Sequence, residues 1–312
     1  MVPEGFPVCD AHRQAAAPWR CDRCARNLCE SCAVAVPAGR DEIPGCTFCG
    51  GLAAPVLVPR AKARPFRTEM RGAAVQALSA RGVALVAVVT CATQCVSWLG
   101  RDGWVIGNLF VFAWALSCSR RAARGFPAFR IPSYADLGAT AVSLARLALS
   151  AGFLGAGAFW IVDGGSRSGS FAAALLLGAF AIWLLPPALI DAVVEDEDHR
   201  LLWPWGSSAL ARRLGGDVFP IRVAVAGFVV FAILQTRVPP PDFHTDVDLL
   251  AHLTVAAALR FAAVLGLAMA ASLAGLLVFT RGEELGHGDP ESYRVPAFPD
   301  ARPKGVSRPR AP

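Results

Sequence analysis

Residues 9–49 read CDAHRQAAAPWRCDRCARNLCESCAVAVPAGRDEIPGCTFC, a stretch with seven cysteines and one histidine arranged in four pairs. Two residues separate the members of each pair: Cys9 and His12, Cys21 and Cys24, Cys29 and Cys32, Cys46 and Cys49. This spacing lets both side chains of a tight turn reach one ion, and zinc takes four nitrogen or sulfur ligands in a tetrahedron. Thiolate-rich tetrahedral sites favour zinc. The eight ligands therefore predict two zinc ions in closed, structural sites.

The order of the pairs allows two ways of sharing these ions. In sequential pairing, the first two pairs hold one ion and the last two pairs hold the other. In interleaved pairing, site 1 is Cys9, His12, Cys29 and Cys32, and site 2 is Cys21, Cys24, Cys46 and Cys49. The short gap between Cys24 and Cys29 suits a chain that crosses from one ion to the next. We therefore favour interleaved pairing.

Metal binding, rather than disulfide formation, is expected for these cysteines. Residues 1–6 show neither the basic region nor the apolar region of a signal peptide, which predicts that the segment stays in a reducing compartment. Large apolar residues are also few between residues 8 and 49: Val8, Trp19, Leu28, Val34, Val36, Ile43 and Phe48. Because so few residues cannot form a sufficient core, bound metal would supply the folding free energy.

The run from Cys9 to Cys32 resembles a B-box-type zinc finger, which is a cross-braced module with two zinc ions. This chain departs from the B-box pattern at the last pair, because Cys46 and Cys49 stand where B-boxes usually have two close histidines. The resemblance implies a small module that binds other proteins and has no catalytic role.

The composition of the whole chain predicts a membrane protein. Of its 312 residues, 54 % are apolar and 17 % charged, with a mean hydropathy of +0.46, whereas soluble domains have about 25 % charged residues. Six apolar stretches are candidates for membrane helices. They are residues 83–99, 104–118, 137–162, 170–190, 218–235 and 249–280, the last with its apolar core at 261–280.

The basic residues between these stretches predict the topology. They are plentiful in 60–81, 120–130, 191–217 and 281–310, and single in 100–103, 163–169 and 236–248. Rich and poor segments alternate, as the positive-inside rule requires for six spans with both termini in the cytoplasm. The Arg-rich composition is typical of a GC-rich bacterial genome, so we expect the bacterial inner membrane and no nucleic-acid partner.

A second resemblance covers residues 104–235. Its motifs are Arg120-Arg-Ala-Ala-Arg-Gly125, Tyr134-Ala-Asp136-Leu-Gly138, Leu184-Leu-Pro-Pro-Ala-Leu-Ile190, Leu202-Trp-Pro204 and Arg213-Leu-Gly-Gly-Asp217. This order is similar to that of a family of bacterial polytopic membrane proteins, broadly Yip-like, that has no established activity. The resemblance therefore implies an architecture and no reaction.

No catalytic set of residues emerges from the sequence, so we expect a protein that is not an enzyme. Three charges lie inside apolar stretches, where a charge indicates function by default: Arg146, Arg222 and Arg260. The loop from Asp242 to Asp248 offers oxygen ligands for a cation, although capping of the following helix is the preferred interpretation. Cys91 and Cys95 lie one helical turn apart and could bind a soft metal, but we prefer to interpret them as small apolar residues.

The sequence thus predicts an all-α membrane bundle of six helices that carries a zinc-stabilised cross-brace module. Its predicted parts are a zinc-binding head at 1–50, a Pro/Arg-rich linker at 51–80, the spans at 81–281 and a disordered cytoplasmic tail at 282–312. We expect the head to recruit a partner protein or to self-associate into homo-oligomers, and the spans to contact membrane lipids. The alternative is a transporter or a lipid-handling protein that the zinc head regulates.

Overall fold

The computed structural model describes residues 6–38, 41–97, 101–129, 167–194, 212–237, 246–286 and 289–304. The chain divides into two compact units. Unit 1 comprises Met1–Pro65 together with Asp289–Pro312, and unit 2 comprises Phe66–Gly288. Unit 1 therefore contains the cysteine-rich segment, and unit 2 contains all of the apolar stretches.

Unit 1 is built from short strands. They are β1 (Trp19–Cys21), β2 (Asn27–Leu28), β3 (Ala33–Ala38), β4 (Asp41–Cys46), β5 (Ala53–Pro55), β6 (Leu57–Pro59) and β7 (Arg294–Pro296). The strand order in the largest sheet is β2-β1-β5, and β3 with β4 and β6 with β7 form two-stranded sheets. All of these pairs are antiparallel. Strand β1 ends at Cys21 and strand β4 ends at Cys46. The hairpin of β1 and β2 and the hairpin of β3 and β4 therefore each have a ligand cysteine at a strand end.

Residues 51–80 are not an unstructured linker. Strands β5 and β6 are followed by a single helical turn, α1 (Arg60–Ala63), and by the first helix of unit 2, α2 (Phe66–Ala77). The prolines of this segment stand at the ends of elements, since Pro59 caps α1 and Pro65 precedes α2. Proline is tolerated before the first helical turn, where its missing N–H has no partner to lose.

The C-terminal segment also differs from the predicted disordered tail at 282–312. After a 3₁₀ turn at Pro290–Tyr293, β7 pairs with β6, with Val295 opposite Val58. Lys304 then lies beside β3, donating its N–H to the carbonyl of Ala33 at 2.9 Å and accepting from Ala35 at 3.1 Å. Both ends of the chain therefore contribute to unit 1. These pairings join residues far apart in sequence and leave no local pattern that predicts them.

Unit 2 is helical. After α2 come α3 (Ala80–Ser97), α4 (Arg101–Ala123), α5 (Arg167–Val194), α6 (Phe219–Arg237) and α7 (Asp246–Leu285). A 3₁₀ turn at Gly215–Val218 leads into α6. Helix α7 lies at the centre of unit 2, because it packs against α2, α3, α4, α5 and α6. Its most apolar part is also more buried than the most apolar parts of α3 and α6.

Among the described residues, three helices are long and apolar enough to cross a membrane, not six: Ala80–Ser97, Arg212–Gln235 and Ala251–Leu285. They correspond to the predicted spans 83–99, 218–235 and 249–280. The predicted span 104–118 lies in α4 and is not among these three helices; its apolar part is bounded by Asp102 and Arg120 and contains Asn108.

The other two predicted spans have no comparable support. The stretch 170–190 lies in α5, a helix of 28 residues whose side chains are described only in part, and the described part includes the shorter apolar helix Leu185–Val194. The stretch 137–162 lies outside the described residues. The structure is therefore that of a helix-rich protein with three helices of membrane-spanning length in its described part.

The cytoplasmic end predicted for the last span, Thr280, coincides with a break in α7. Arg281 has non-helical backbone angles (φ −117°, ψ 18°). Its side chain bonds to Asp217 Oδ2 at 3.0 Å and to Glu284, while Asp217 Oδ1 accepts from Arg67 at 3.2 Å. These ion pairs join α2, the turn before α6 and the end of α7, so the straight apolar part of α7 ends where charged side chains begin.

Two glycines let α7 approach its neighbours closely. A Cβ added at Gly266 would lie 2.8 Å from the backbone nitrogen of Phe228 in α6. A Cβ added at Gly275 would overlap the carbonyl oxygen of Ser119 in α4 and lie 2.6 Å from the Cβ of Ala122. Small residues are what permit such backbone contact between membrane helices.

We expect Gly275→Ala to destabilise unit 2 by about 1–3 kcal/mol, because the added methyl group must push α4 away from α7. Gly227→Ala is the matched control, since Gly227 is also helical but a Cβ added there would have no atom within 4 Å. The control should be neutral or slightly stabilising. Thermal unfolding of both variants in detergent measures the difference, and equal melting temperatures would contradict this packing.

Candidate metal centre

The four ligand pairs gather into two groups of four. Site 1 consists of Cys9, His12, Cys29 and Cys32, and site 2 consists of Cys21, Cys24, Cys46 and Cys49. Within each group, the candidate ligand atoms all lie within 4.8 Å of one another. This grouping is the interleaved one, and sequential pairing would require ligands that lie in different groups.

Site 1 places three sulfur atoms around one ring nitrogen. Nδ1 of His12 lies 3.3 Å from Sγ of Cys32, 3.4 Å from Sγ of Cys29 and 3.9 Å from Sγ of Cys9. The sulfur atoms of Cys9 and Cys32 are 3.8 Å apart. All three cysteines are buried and His12 is exposed, so solvent reaches this site on its histidine side.

Site 2 consists of four sulfur atoms. Sγ of Cys21 lies 3.4 Å from Sγ of Cys49, and Sγ of Cys24 lies 3.8 Å from Sγ of Cys46. Cys21 and Cys46 are buried at the strand ends, whereas Cys24 and Cys49 are partly exposed. One member of each pair therefore faces the interior of unit 1 and the other lies nearer its surface.

These distances fit a tetrahedral zinc ion in both sites. A zinc–sulfur bond of about 2.3 Å puts two sulfur ligands about 3.8 Å apart, and a sulfur and a nitrogen ligand about 3.6 Å apart. The sulfur–sulfur separations of 3.4 to 3.8 Å and the sulfur–nitrogen separations of 3.3 to 3.9 Å lie close to these values. They are too long for disulfides, whose sulfur atoms lie about 2.05 Å apart, and all of these cysteines are free thiols. The two clusters are therefore compatible with two metal ions.

The two turns of site 2 share one backbone design. After Cys21, the N–H of Ala25 donates to the carbonyl of Cys21 at 2.9 Å, and after Cys46 the N–H of Gly50 donates to the carbonyl of Cys46 at 2.9 Å. Ala25 and Gly50, which follow the second cysteine of each pair, both have positive φ, of 58° and 68°. This left-handed residue closes each turn so that both sulfurs point at one ion.

Gly51 is a part of site 2 that the ligand spacing does not reveal. A Cβ at this position would lie 3.3 Å from Sγ of both Cys21 and Cys49 and 2.8 Å from the Cβ of Arg23. The absence of a side chain therefore lets the backbone pass directly against two ligand sulfurs. In the sequence, the Gly50-Gly51 pair directly after the last ligand could have indicated this role. Gly50 closes the turn, and Gly51 lets the backbone lie against the ligand sulfurs.

The thiols of site 1 cannot all be charged without a cation. Burial raises the pKa of the Cys9 thiol, but N–H groups of Cys29, His12 and Ala11 outweigh it and lower this pKa to about 6. Burial, with the adjacent sulfurs of Cys29 and Cys9, raises the pKa of Cys32 to about 12. One thiolate thus keeps its neighbour protonated, because like charges in one site disfavour each other.

Site 2 shows the same conflict. N–H groups of Cys24 and Arg23 lower the pKa of Cys21 to about 6 against the effect of burial. The N–H of Gly51 lowers the pKa of Cys49, but Cys21, burial and the other two thiols raise it to about 11. A divalent cation removes the conflict, because coordinating thiols are deprotonated outright.

The ligand cysteines are also the core of unit 1. Five of the ten buried members of its apolar cluster are cysteines, and the only large apolar members are Trp19 and Leu28. Trp19 and Leu28 lie opposite each other in β1 and β2. A core of this size cannot hold the unit together alone, so bridging ions would carry much of its stability.

The other residues singled out in the sequence, two cysteines and three arginines, belong to neither metal cluster in the described part of the chain. Cys91 and Cys95 are exposed on α3 and belong to neither cluster. The guanidinium of Arg222 lies 4.4 Å from the ring centre of Trp183, a cation–π contact. Arg260 is buried. Arg146 and residues 242–245 of the Asp242–Asp248 loop lie outside the described residues, and of Asp246–Asp248 the structure describes only the helical backbone at the start of α7.

Double substitutions distinguish the two pairings by counting metal ions. Under interleaved pairing, Cys9→Ser with Cys29→Ser disables one site and leaves about one zinc per chain, whereas Cys9→Ser with Cys21→Ser disables both. Sequential pairing predicts the reverse. Zinc analysis of the full-length protein measures this, with two zinc ions expected for the unchanged chain and for the Cys91→Ser control.

Ala25 and Gly50, the two residues with positive φ after the cysteine pairs of site 2, allow a second prediction, because opposite substitutions can be made at them. Gly50→Ala should weaken site 2, because an alanine in the left-handed region costs about 1 kcal/mol. Ala25→Gly should strengthen site 2 by relieving a similar strain. Zinc transfer to a competing chelator gives the affinities, and we expect changes of up to about fivefold in opposite directions. Changes of the same sign would exclude this account of the turns.

No protein-family model, curated protein or solved structure matches this chain. The resemblances of residues 9–49 to B-box zinc fingers and of residues 104–235 to Yip-like membrane proteins thus gain no support from a relative. The observation that stands is the pair of Cys/His clusters suited to zinc. The function therefore has to be argued from these clusters and from the helices.

Proposed function

We propose that this chain is a membrane protein whose cytoplasmic B-box-like head recruits a partner protein. The observation that carries this proposal is that each cluster already holds four ligands. A catalytic zinc keeps a position open for water or substrate, whereas a site closed by four protein ligands is structural. The ions would therefore shape a surface and perform no reaction.

The exposed apolar side chains of site 2 support a role in protein contact. Phe48 and Leu52 are 49 % and 51 % exposed, although unit 1 has few large apolar residues to spare. The guanidinium of Arg26 lies 5.0 Å from the ring centre of Phe48. Aromatic and arginine side chains are enriched where protein interfaces form. The turn from Cys46 to Leu52 is accordingly the proposed contact surface.

In this proposal, the helical unit anchors the head at the inner membrane of a bacterium. The topology with six spans and both termini in the cytoplasm is part of the proposal and rests on the alternation of basic segments. It puts the thiols in a reducing compartment, where zinc binding rather than disulfide formation is the stable outcome.

The second candidate is a transporter or lipid-handling protein that the zinc head regulates. The specific observation in its favour is Arg260, a charged side chain with 4 % exposure inside α7. Charged residues within membrane helices usually mark substrate or ion pathways. The two candidates differ in where the essential residues lie, in unit 1 or in unit 2.

Affinity purification of the full-length protein from cross-linked membranes tests the recruiting role. We expect a partner to co-purify with the unchanged chain and with Cys91→Ser. The partner should be lost from Phe48→Ala, which retains two zinc ions, and from Cys29→Ser with Cys46→Ser, which damages both sites. Equal recovery with all four proteins would contradict recruitment by the head.

A further inference from the structure

One face of α3 is polar where α3 packs inside unit 2. Thr90, Thr93 and Gln94 follow one another at helical spacing, so they share this face. Thr90 and Thr93 are 4 % and 1 % exposed. Thr93 Oγ1 donates to backbone carbonyls of its own helix, but Thr90 Oγ1 and Gln94 Oε1 are buried without a hydrogen-bond partner in the described part of the chain.

Arg260 of α7 points into the same place. Its Nε donates to Oγ1 of Thr93 at 3.1 Å. Its Nη2 is buried and has no acceptor among the residues that the structure describes. Gly107 of α4 completes the junction, because a Cβ there would lie 3.4 Å from Nη2 and 3.1 Å from the carbonyl oxygen of Thr93. Three helices thus converge on one guanidinium.

The charge of this junction is not balanced. Asp217 and Glu284 form ion pairs with Arg67 and Arg281 near the far end of α7, and neither carboxylate reaches Arg260. Arg260 is therefore a buried cation without a carboxylate partner in the part of the chain that the structure describes. Burying an uncompensated charge is costly, and the cost falls when an opposite charge is bound beside it.

We propose that Arg260, with Thr90, forms a binding site for a small inorganic anion such as chloride. The free N–H groups of Nη2 supply the charge-assisted hydrogen bonds, and the hydroxyl of Thr90 supplies a neutral donor. Gly107 keeps one side of the guanidinium free of a side chain. This site is independent of the zinc clusters, since all of its residues belong to unit 2.

The position of the junction along α3 and α4 suggests how an anion reaches it. Thr93 lies about 6 Å along the helix axis from the end of α3 at Ser97, and Gly107 about 9 Å from the start of α4 at Arg101. The site therefore lies near one end of the bundle, a short distance from the connection between α3 and α4.

The line width of the chloride-35 magnetic resonance measures this binding directly on the full-length protein in detergent. We expect the unchanged chain to cause excess broadening that saturates with chloride. Arg260→Gln should weaken chloride binding at least about tenfold, because it removes the charge-assisted donors. Thr90→Val, which preserves the shape of the side chain, should weaken binding a few-fold and keeps the test valid if Arg260→Gln does not fold.

Arg222→Gln is the matched control. Arg222 is also an arginine in an apolar helix, but its guanidinium stacks on Trp183 in another part of unit 2. Chloride binding to this variant should equal that of the unchanged chain. Absence of saturable broadening in the unchanged chain would overturn the proposal, and so would unchanged binding in Thr90→Val and in a folded Arg260→Gln. Water alone would then fill the junction.

Discussion

Convergence of eight ligand side chains into two clusters, each suited to a metal ion, is the feature on which unit 1 depends. Half of the residues in its apolar cluster are ligand cysteines, so the usual separation between a core and a binding site does not exist here. The sheets are too short to be stable alone: β1 has three residues and β2 has two. Each cluster instead brings together two turns that are distant in sequence, and an ion bound there would join them. Metal binding and folding are then one event.

Unit 2 differs from unit 1 because it has large apolar clusters formed by its helices. The most apolar part of helix α7 is largely buried, and Gly266 and Gly275 allow α6 and α4 to pack against its backbone. Within this apolar packing, the junction of Arg260 with α3 is a polar exception. Such exceptions in membrane helices are costly and mark function more often than structure. Unit 1 and unit 2 therefore each contain one feature that packing alone does not explain.

The sequence predicts local features of this protein well and distant pairings poorly. The spacing of the ligands is sufficient to predict two four-ligand groups, because each pair acts within a single turn. Hydropathy is sufficient for the helices near 83–99, 218–235 and 249–280, whereas the predicted span 104–118 in α4 is not among the membrane-length helices of the described residues. The strand at Arg294–Pro296 and the contact of Lys304 with β3 depend on residues more than 200 positions away. Gly51 and Arg260 acquire their roles only from neighbours in space.

Hydrogen exchange of the full-length protein before and after zinc chelation tests the central claim most directly. If the ions hold unit 1 together, chelation removes amide protection from residues 9–59 and also from 289–304, because β7 and Lys304 pair with strands of that unit. Protection in residues 261–280 of α7 should remain unchanged and serves as the internal reference. Protection of residues 9–59 that survives complete removal of the metal would contradict the account.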